Sequence, residues 1–233
     1  MPKTGKNYRK AKEKIEQEIY QISEAFPVLK KAGYAKFNET VEISLFLGVN
    51  PRHADQMVRG TVVLPHGTGK TKKVLVIASG EKLQEAEDAG ADFAGGQDMI
   101  DKIQKESWLE FDAVVATPDM MKNLSKLGRV LGPRGMMPNP KTGTVTFEIA
   151  NAVKEIKAGK VEFKVDKTAT INAAIGKLSF DDSQLLDNAT IFIQAIIKAK
   201  PPSAKGKYLR SVFVSSTMGP GLKINTDNLG ELS

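Results

Sequence analysis

Residues 39–47 read ETVEISLFL, and residues 74–78 read VLVIA. In the first stretch Val41, Ile43, Leu45 and Leu47 fall on one side of an extended strand, and Thr40, Glu42, Ser44 and Phe46 fall on the other. That period of two belongs to a sheet with one buried and one partly wet face. The second stretch is apolar throughout, so its strand is expected to be covered on both sides, as in a parallel sheet flanked by helices. Two styles of sheet in a chain of 233 residues call for two cores, and a chain of this length is long enough to build them.

Outward from residues 39–47, Asn7 to Glu18 reads as an exposed helix with a thin Ile15 and Ile19 stripe. A short second helix is expected to be capped by Ser23, with Pro27 in its opening turn and an end at Gly33. Thr61 to Leu64 predicts another strand. From residue 74 a strand–helix succession begins. The helices are expected at Glu81 to Ala89, Gln97 to Glu106 and Pro118 to Gly128, with strands at Ala91 to Ala94 and Asp112 to Thr117. Gly128 to Val145 is too rich in glycine and proline for a helix or central strand. After a helix from Glu148 to Ala158, alternation returns at Lys160 to Val165 and strand pattern at Thr168 to Ile175. A long amphipathic helix, Ser183 to Lys200, stops at Pro201, a last strand spans Tyr208 to Ser216, and the tail from Asn225 reads as frayed. The predicted fold class is α/β with two domains: a discontinuous α+β domain with an antiparallel sheet (1–67 and 160–233), and an inserted parallel α/β domain (68–159).

The distribution of charge agrees with this split. Residues 1–67 carry 11 basic and 7 acidic side chains, residues 68–159 carry 13 of each, and residues 160–233 carry 10 and 7. The net charge of +7 therefore sits in the two ends, which suggests that they form one body with a polyanionic partner. Without cysteine there is no disulfide frame, thiolate metal site or thiol nucleophile, and His53 and His66 alone give little for imidazole chemistry. No apolar run is long enough for a membrane span or secretory signal, so a cytoplasmic chain is expected.

Three motifs resemble catalytic or phosphate-binding signatures but are better explained as structure. Gly69-Lys70-Thr71 imitates the end of a phosphate-binding loop, yet Leu64 occupies the place of its first glycine and a strand follows where a helix N-terminus is required. The glycines from Gly90 to Gly96 lack a basic neighbour and read as tight turns. Asp112, Asp119, Asp181 and Asp182 stand at strand starts and helix caps. No nucleophile–base pair emerges, and neither metal nor cofactor is expected.

A nucleic-acid site is better supported. Lys36 and Phe37 precede the alternating strand, a cation beside an aromatic suited to a phosphate and a stacked base, though Phe37 could equally be tucked into the core. Ser215 to Gly221 supplies hydroxyls, a thioether and glycines, which allow bonds to 2′-hydroxyls and phosphates, or form an ordinary surface turn.

These residues sit in stretches that together resemble a known family from end to end: AKFNETVEISLFLGVNPRHADQMVRGTVVLPHGTGK, FDAVVATPDMM, KLGRVLGPRGMMPNPKTGTVT, EIKAGKVEFKVDKT and LRSVFVSSTMGPGLKI. The chain closely resembles the family of the first protein of the large ribosomal subunit, bacterial type, found in the mobile stalk beside the tRNA exit site. The resemblance implies that the split domain is the RNA-binding one and that the insert is Rossmann-like without nucleotide chemistry. It further implies a non-enzymatic constituent of the large subunit that binds a folded rRNA junction, assists release of deacylated tRNA and represses its own operon mRNA. Carried over by position, the contact set is Lys36, Phe37, Thr40, Glu42, Ser211, Thr217, Met218 and Gly219, with Lys167 and Arg9 added as phosphate partners by charge. Gly67, Gly69 and Gly159 are candidate hinges. The expected partners are large-subunit rRNA, exit-site tRNA and the operon mRNA, with no membrane and a monomer when free of RNA. A nucleotide-binding enzyme and a general nucleic-acid chaperone are the rival readings.

Overall fold

The computed structural model describes residues 5–227 and Leu229. In chain order the elements are α1 (Lys6–Glu13), α2 (Ile22–Ala32), β1 (Thr40–Leu47), β2 (Arg59–Val63), β3 (Val74–Ile77), α3 (Glu81–Asp88), β4 (Phe93–Gly95), α4 (Gln97–Glu106) and β5 (Ala113–Ala116). Then come the short helices α5 (Met121–Leu124) and α6 (Gly128–Leu131), and α7 (Ile149–Lys157), β6 (Lys160–Lys164), β7 (Thr170–Lys177), α8 (Asp182–Lys198), β8 (Leu209–Ser216) and β9 (Leu222–Ile224). They form two compact units, Met1–Gly69 with Val161–Ser233, and Lys70–Lys160.

The split unit is built on a four-stranded sheet in the order β7-β1-β8-β9. β1 pairs antiparallel with both β7 and β8, and β8 pairs antiparallel with β9. Val41, Ile43, Leu45 and Leu47 are buried, as the alternation of residues 39–47 requires, and join Phe26 and Leu29 of α2 and Leu185, Phe192 and Ile196 of α8 in one core. The other face is open to solvent at Glu42 and Phe46 of β1, Asn172 of β7 and Phe213 of β8. β2 and β6 form a separate pair, fastened to α8 where the Phe163 ring meets Phe192 edge-on at 5.8 Å.

Several sequence expectations shift here. The first helix ends at Glu13, because Tyr20 must reach β9: its N–H donates to the Lys223 carbonyl and it forms a parallel bridge with Ile224. Gln21, not Ser23, caps α2, through a capping box with Glu24. Pro27 lies inside that helix and not in its opening turn; Ser23, whose carbonyl the absent N–H would have served, is exposed. β9 is too short to leave a periodic signal and was not expected. Of the supposedly frayed tail, Asn225 N–H bonds the Tyr20 carbonyl, while residues 228 and 230–233 lie outside the described residues.

The inserted unit has a parallel sheet in the order β4-β3-β5, with β3 in the centre. One side packs Ile100 and Ile103 of α4 and Leu124, Leu127 and Leu131 onto Leu75 and Ile77, and the other packs Ala86 of α3 and Val153 and Ile156 of α7 onto Val74 and Val76. Both faces of β3 are thus covered, which explains its unbroken apolar run. The helix expected from Pro118 to Gly128 is a chain of α and 3-10 turns that continues to Leu131, so the expectation that no helix enters residues 128–145 does not hold. The apolar spacing of Leu124, Leu127 and Leu131 carries the helical turns past Gly128.

Two aspartates clamp the start of β3. Asp92 accepts from the Val74 N–H at 2.9 Å, and Asp112 accepts from the Lys73 N–H at 3.1 Å and the Lys70 ammonium at 2.9 Å. The Val74 N–H holds the Asp92 carboxyl below the usual carboxylate range, and Lys70 does the same for Asp112. Groups depressed in the folded state stabilise fully above their unfolded pKa, about 3.9, and lose that contribution as pH falls through the lowered value. Acid titration should therefore weaken this unit below about pH 4, and the paired change Asp92→Asn with Asp112→Asn should flatten that pH dependence in circular-dichroism melts.

A buried amide closes the split unit where the chain prepares to leave it. Asn188 of α8 donates to the carbonyls of Gly67 at 2.9 Å and Ile175 at 2.7 Å and accepts from the His66 N–H at 3.2 Å. Asn188→Ala leaves these backbone groups without partners and should cost about 2–4 kcal/mol in urea unfolding; a loss below about 1 kcal/mol would refute this assignment.

Candidate nucleic-acid interface

Glu39 lies two residues before Val41 and so belongs, by the period of the strand, to the core-facing side. It is 1% exposed. A carboxylate there is costly unless its oxygens are occupied, and they are. Oε2 accepts from the Ser216 hydroxyl at 2.7 Å and the Met218 N–H at 2.9 Å, and Oε1 from the Ala35 N–H at 3.3 Å. This one side chain fixes the 216–219 turn to the loop before β1.

Neighbouring bonds complete the arrangement. The Thr217 hydroxyl accepts from the Thr40 N–H at 3.0 Å and donates to the Thr40 carbonyl at 3.4 Å. Tyr34 donates its hydroxyl to the Met218 carbonyl at 2.7 Å. Asn38 exchanges hydrogen bonds with Ser179, and Lys177 gives its ammonium to the Thr40 hydroxyl at 2.8 Å. Held this way, Phe37 is not tucked into the core: it is 55% exposed, and Met218 is 48% exposed. Gly219 is required by space, because a Cβ there would stand 2.4 Å from the Ser216 hydroxyl.

Of the ten residues singled out in the sequence, Lys36, Phe37, Thr40, Glu42, Thr217, Met218 and Gly219 lie together at this end of the sheet. Glu42 pairs with Ser215 on the open face. Ser211 shares that face but pairs with Phe46, four residues and about 13 Å further along. Lys167 sits in the turn leading into β7, where the Ala169 carbonyl accepts from the Leu47 N–H, so it stands at the opposite end of β1 from Phe37. That turn is wound round Asp166, which accepts from the Thr168 hydroxyl and the Thr168 and Thr170 N–H groups, and whose carboxyl the Thr168 hydroxyl holds below the ordinary range. Arg9 is exposed on α1, and no hydrogen bond or ion pair among the described residues joins its side chain to the turn. The three proposed hinge glycines, Gly67, Gly69 and Gly159, all have positive φ, of 63°, 69° and 106°.

The sequence reading passed over Glu39, Lys177 and Tyr34, and counted Ser216 as one hydroxyl of the 215–221 stretch where it is the buried partner of Glu39. For Glu39 a signal existed, a carboxylate on the core-facing side of a strand. It also passed over the open face's second aromatic, Phe213, and the Arg210 guanidinium 5.5 Å above the Phe46 ring.

What the split unit and its insert define is a class of structural ribosomal protein. The sequence profile described as the ribosomal protein L1p/L10e family matches residues 29–220, and the chain belongs to that family. It is similar to the large ribosomal subunit protein uL1 of Solibacter usitatus (strain Ellin6076), with 62% identity over 224 residues that cover 96% of this chain and 94% of that protein. It is accordingly a non-enzymatic component of the cytoplasmic ribosome.

Glu39→Ala should cost about 3 kcal/mol, since it leaves three donors unpaired, one of them fully buried. Hydrogen exchange at the Met218 and Ala35 amides should accelerate with it. Unchanged exchange at both amides would show that the turn is held by other bonds.

Proposed function

We propose that the chain is a structural constituent of the large ribosomal subunit whose split unit binds a folded rRNA junction of the mobile stalk. The observation that carries this reading is the rigid end of the antiparallel sheet, where the buried Glu39 holds the turn bearing the exposed Met218 in place beside the loop that bears Phe37. A surface fixed before it meets its partner gives up little conformational entropy on binding. It suits recognition of a preshaped RNA, where hydroxyls and backbone amides meet 2′-hydroxyls and bases stack on side chains.

Within the proposed contact set the residues divide by chemistry. Phe37 and Met218 offer apolar surface to bases, and Lys36 offers charge to phosphate, with Lys167 and Arg9 as outlying phosphate partners. Thr40, Ser211, Thr217 and the Gly219 backbone supply hydrogen bonds. Glu42 cannot serve a phosphate, so it accepts from a base N–H or a 2′-hydroxyl and acts in specificity. The inserted unit joins by two crossings, with Gly67, Gly69 and Gly159 as the hinge positions. Through them it would accompany deacylated tRNA as it leaves the exit site, and the same face would hold a like-folded structure in the protein's own operon mRNA and repress its translation.

In a binding titration of the full chain with a large-subunit stalk junction transcript, Phe37→Ala and Met218→Ala should each cost about 1–3 kcal/mol, the usual range for a lost stacking contact. Unchanged affinity in both variants with intact folding overturns the site. Equal binding of a scrambled transcript favours the chaperone reading instead.

A further inference from the structure

Sulfur enters this chain in one form only. The chain has eight methionines and no cysteine, so a mild two-electron oxidant meets thioethers and no thiol that would react ahead of them. Met99, Met120, Met121, Met136 and Met137 are partly buried and pack against the core of the inserted unit. Among the described residues the exposed methionines are Met57, at 41%, and Met218, at 48%.

Their surroundings separate the two. Met57 follows a 3-10 turn and lines a cleft with Pro51, Lys164 and Lys167, at the end of β1 opposite Phe37. At Met218 the backbone is held on both sides of the side chain: its N–H donates to Glu39 Oε2 at 2.9 Å, and its carbonyl accepts from the Tyr34 hydroxyl at 2.7 Å. The Gly219 N–H donates to the Ser216 carbonyl and closes the turn. Withdrawing Met218 from the surface would break a bond to a carboxylate that is itself buried, leaving that charge short of a donor. The sulfur is therefore kept where solvent reaches it, within the proposed contact set.

A hydroperoxide oxidises such a sulfur by oxygen-atom transfer. The O–O bond breaks, an S–O bond forms, the sulfur gives up two electrons, and the hydroperoxide leaves as an alcohol, or as water where it is hydrogen peroxide. An apolar side chain becomes a polar one, whose oxygen must shed water before RNA can cover it. A dithiol reverses the step: it becomes a disulfide, and the oxygen leaves as water with the two thiol protons. We infer that Met218 is a reversible oxidation site whose sulfoxide form weakens RNA binding by the free chain, while RNA already in place shields the sulfur. The inference rests on the reading of the 216–219 turn as part of the RNA interface. Peroxide is thereby sensed by chains that have not yet found their RNA.

The test treats full-length chains with limiting hydrogen peroxide: the unmodified protein, Met218→Leu and Met57→Leu. Peptide masses follow conversion at each methionine, and thermal melts check the fold. With Met218 converted, the unmodified and Met57→Leu chains should bind a large-subunit stalk junction transcript at least about fivefold more weakly, the lower end of the cost of a lost stacking contact. Met218→Leu should keep after treatment the affinity it had before. Methionine sulfoxide reductase with a dithiol should restore binding. Full affinity of the chain oxidised at Met218, an equal loss in Met218→Leu, or a loss that reduction does not reverse overturns the proposal. Failure of the interface reading shows separately, as a rate of Met218 oxidation that the transcript leaves unchanged. A transcript that slows this oxidation while the oxidised chain still binds fully sinks the sulfoxide inference alone.

Discussion

A carboxylate placed on the core side of a sheet is either neutralised, hydrated or fully bonded, and in this fold the last condition is met at Glu39. Its two oxygens take donors from the loop before β1, from β8 and from the turn after β8. These segments are remote in sequence, with Glu39 and Met218 separated by 179 positions. At the same end of the sheet Thr217 and Tyr34 tie these parts through bonds to the Thr40 backbone and the Met218 carbonyl, but Glu39 is the buried acid among them. The rigidity of the proposed interface therefore draws on the buried Glu39 together with the Thr217, Thr40 and Tyr34 bonds beside it. Gly219 is constrained by the same bond, since any side chain there would displace the hydroxyl that Glu39 holds.

The architecture was legible because both sheets announce themselves by period. Strict alternation in residues 39–47 and 160–165 marks strands with one wet face, and the unbroken VLVIA of residues 74–78 marks a strand covered twice. Helix α4 coincides with its expected range, Gln97–Glu106, since the glycines before it and the loss of apolar spacing after it leave no alternative. What failed to show is what depends on partners distant in the chain. The first helix stops at Glu13 because Tyr20 pairs with β9, and β9 exists only because β8 offers it an edge. Neither fact has a local cause.

The candidate site was legible in part. Lys36 and Phe37 stand out as a cation beside an aromatic just before the alternating strand, whereas Thr40 and Glu42 are named by the family resemblance alone. Thr217 to Gly219 stand out through small and hydroxylated residues in a turn. The supports were hidden. Lys177 and Tyr34 act through single bonds to Thr40 and Met218, and no spacing rule links a tyrosine after a helix to a carbonyl at the far end of the chain. Ser211 lies four residues along the open face from Ser215, the partner of Glu42. Lys167, chosen by charge alone, stands at the opposite end of β1 from Phe37, which shows how little a lone cation says about position.

Charge counted over long windows misleads in the same way. Averaged over residues 68–159 the chain looks neutral, yet one edge of that stretch is purely basic and the remainder predominantly acidic. Phosphate binding depends on charges within a Debye length of the contact, about 8 Å at physiological salt, and not on a domain's total. The split unit, which carries net positive charge, nevertheless exposes an acid, Glu42, on the open sheet face that also bears Phe46 and Phe213. In the proposed interface an acid there would weaken attraction to any phosphate indiscriminately, which accords with the role in specificity proposed for it.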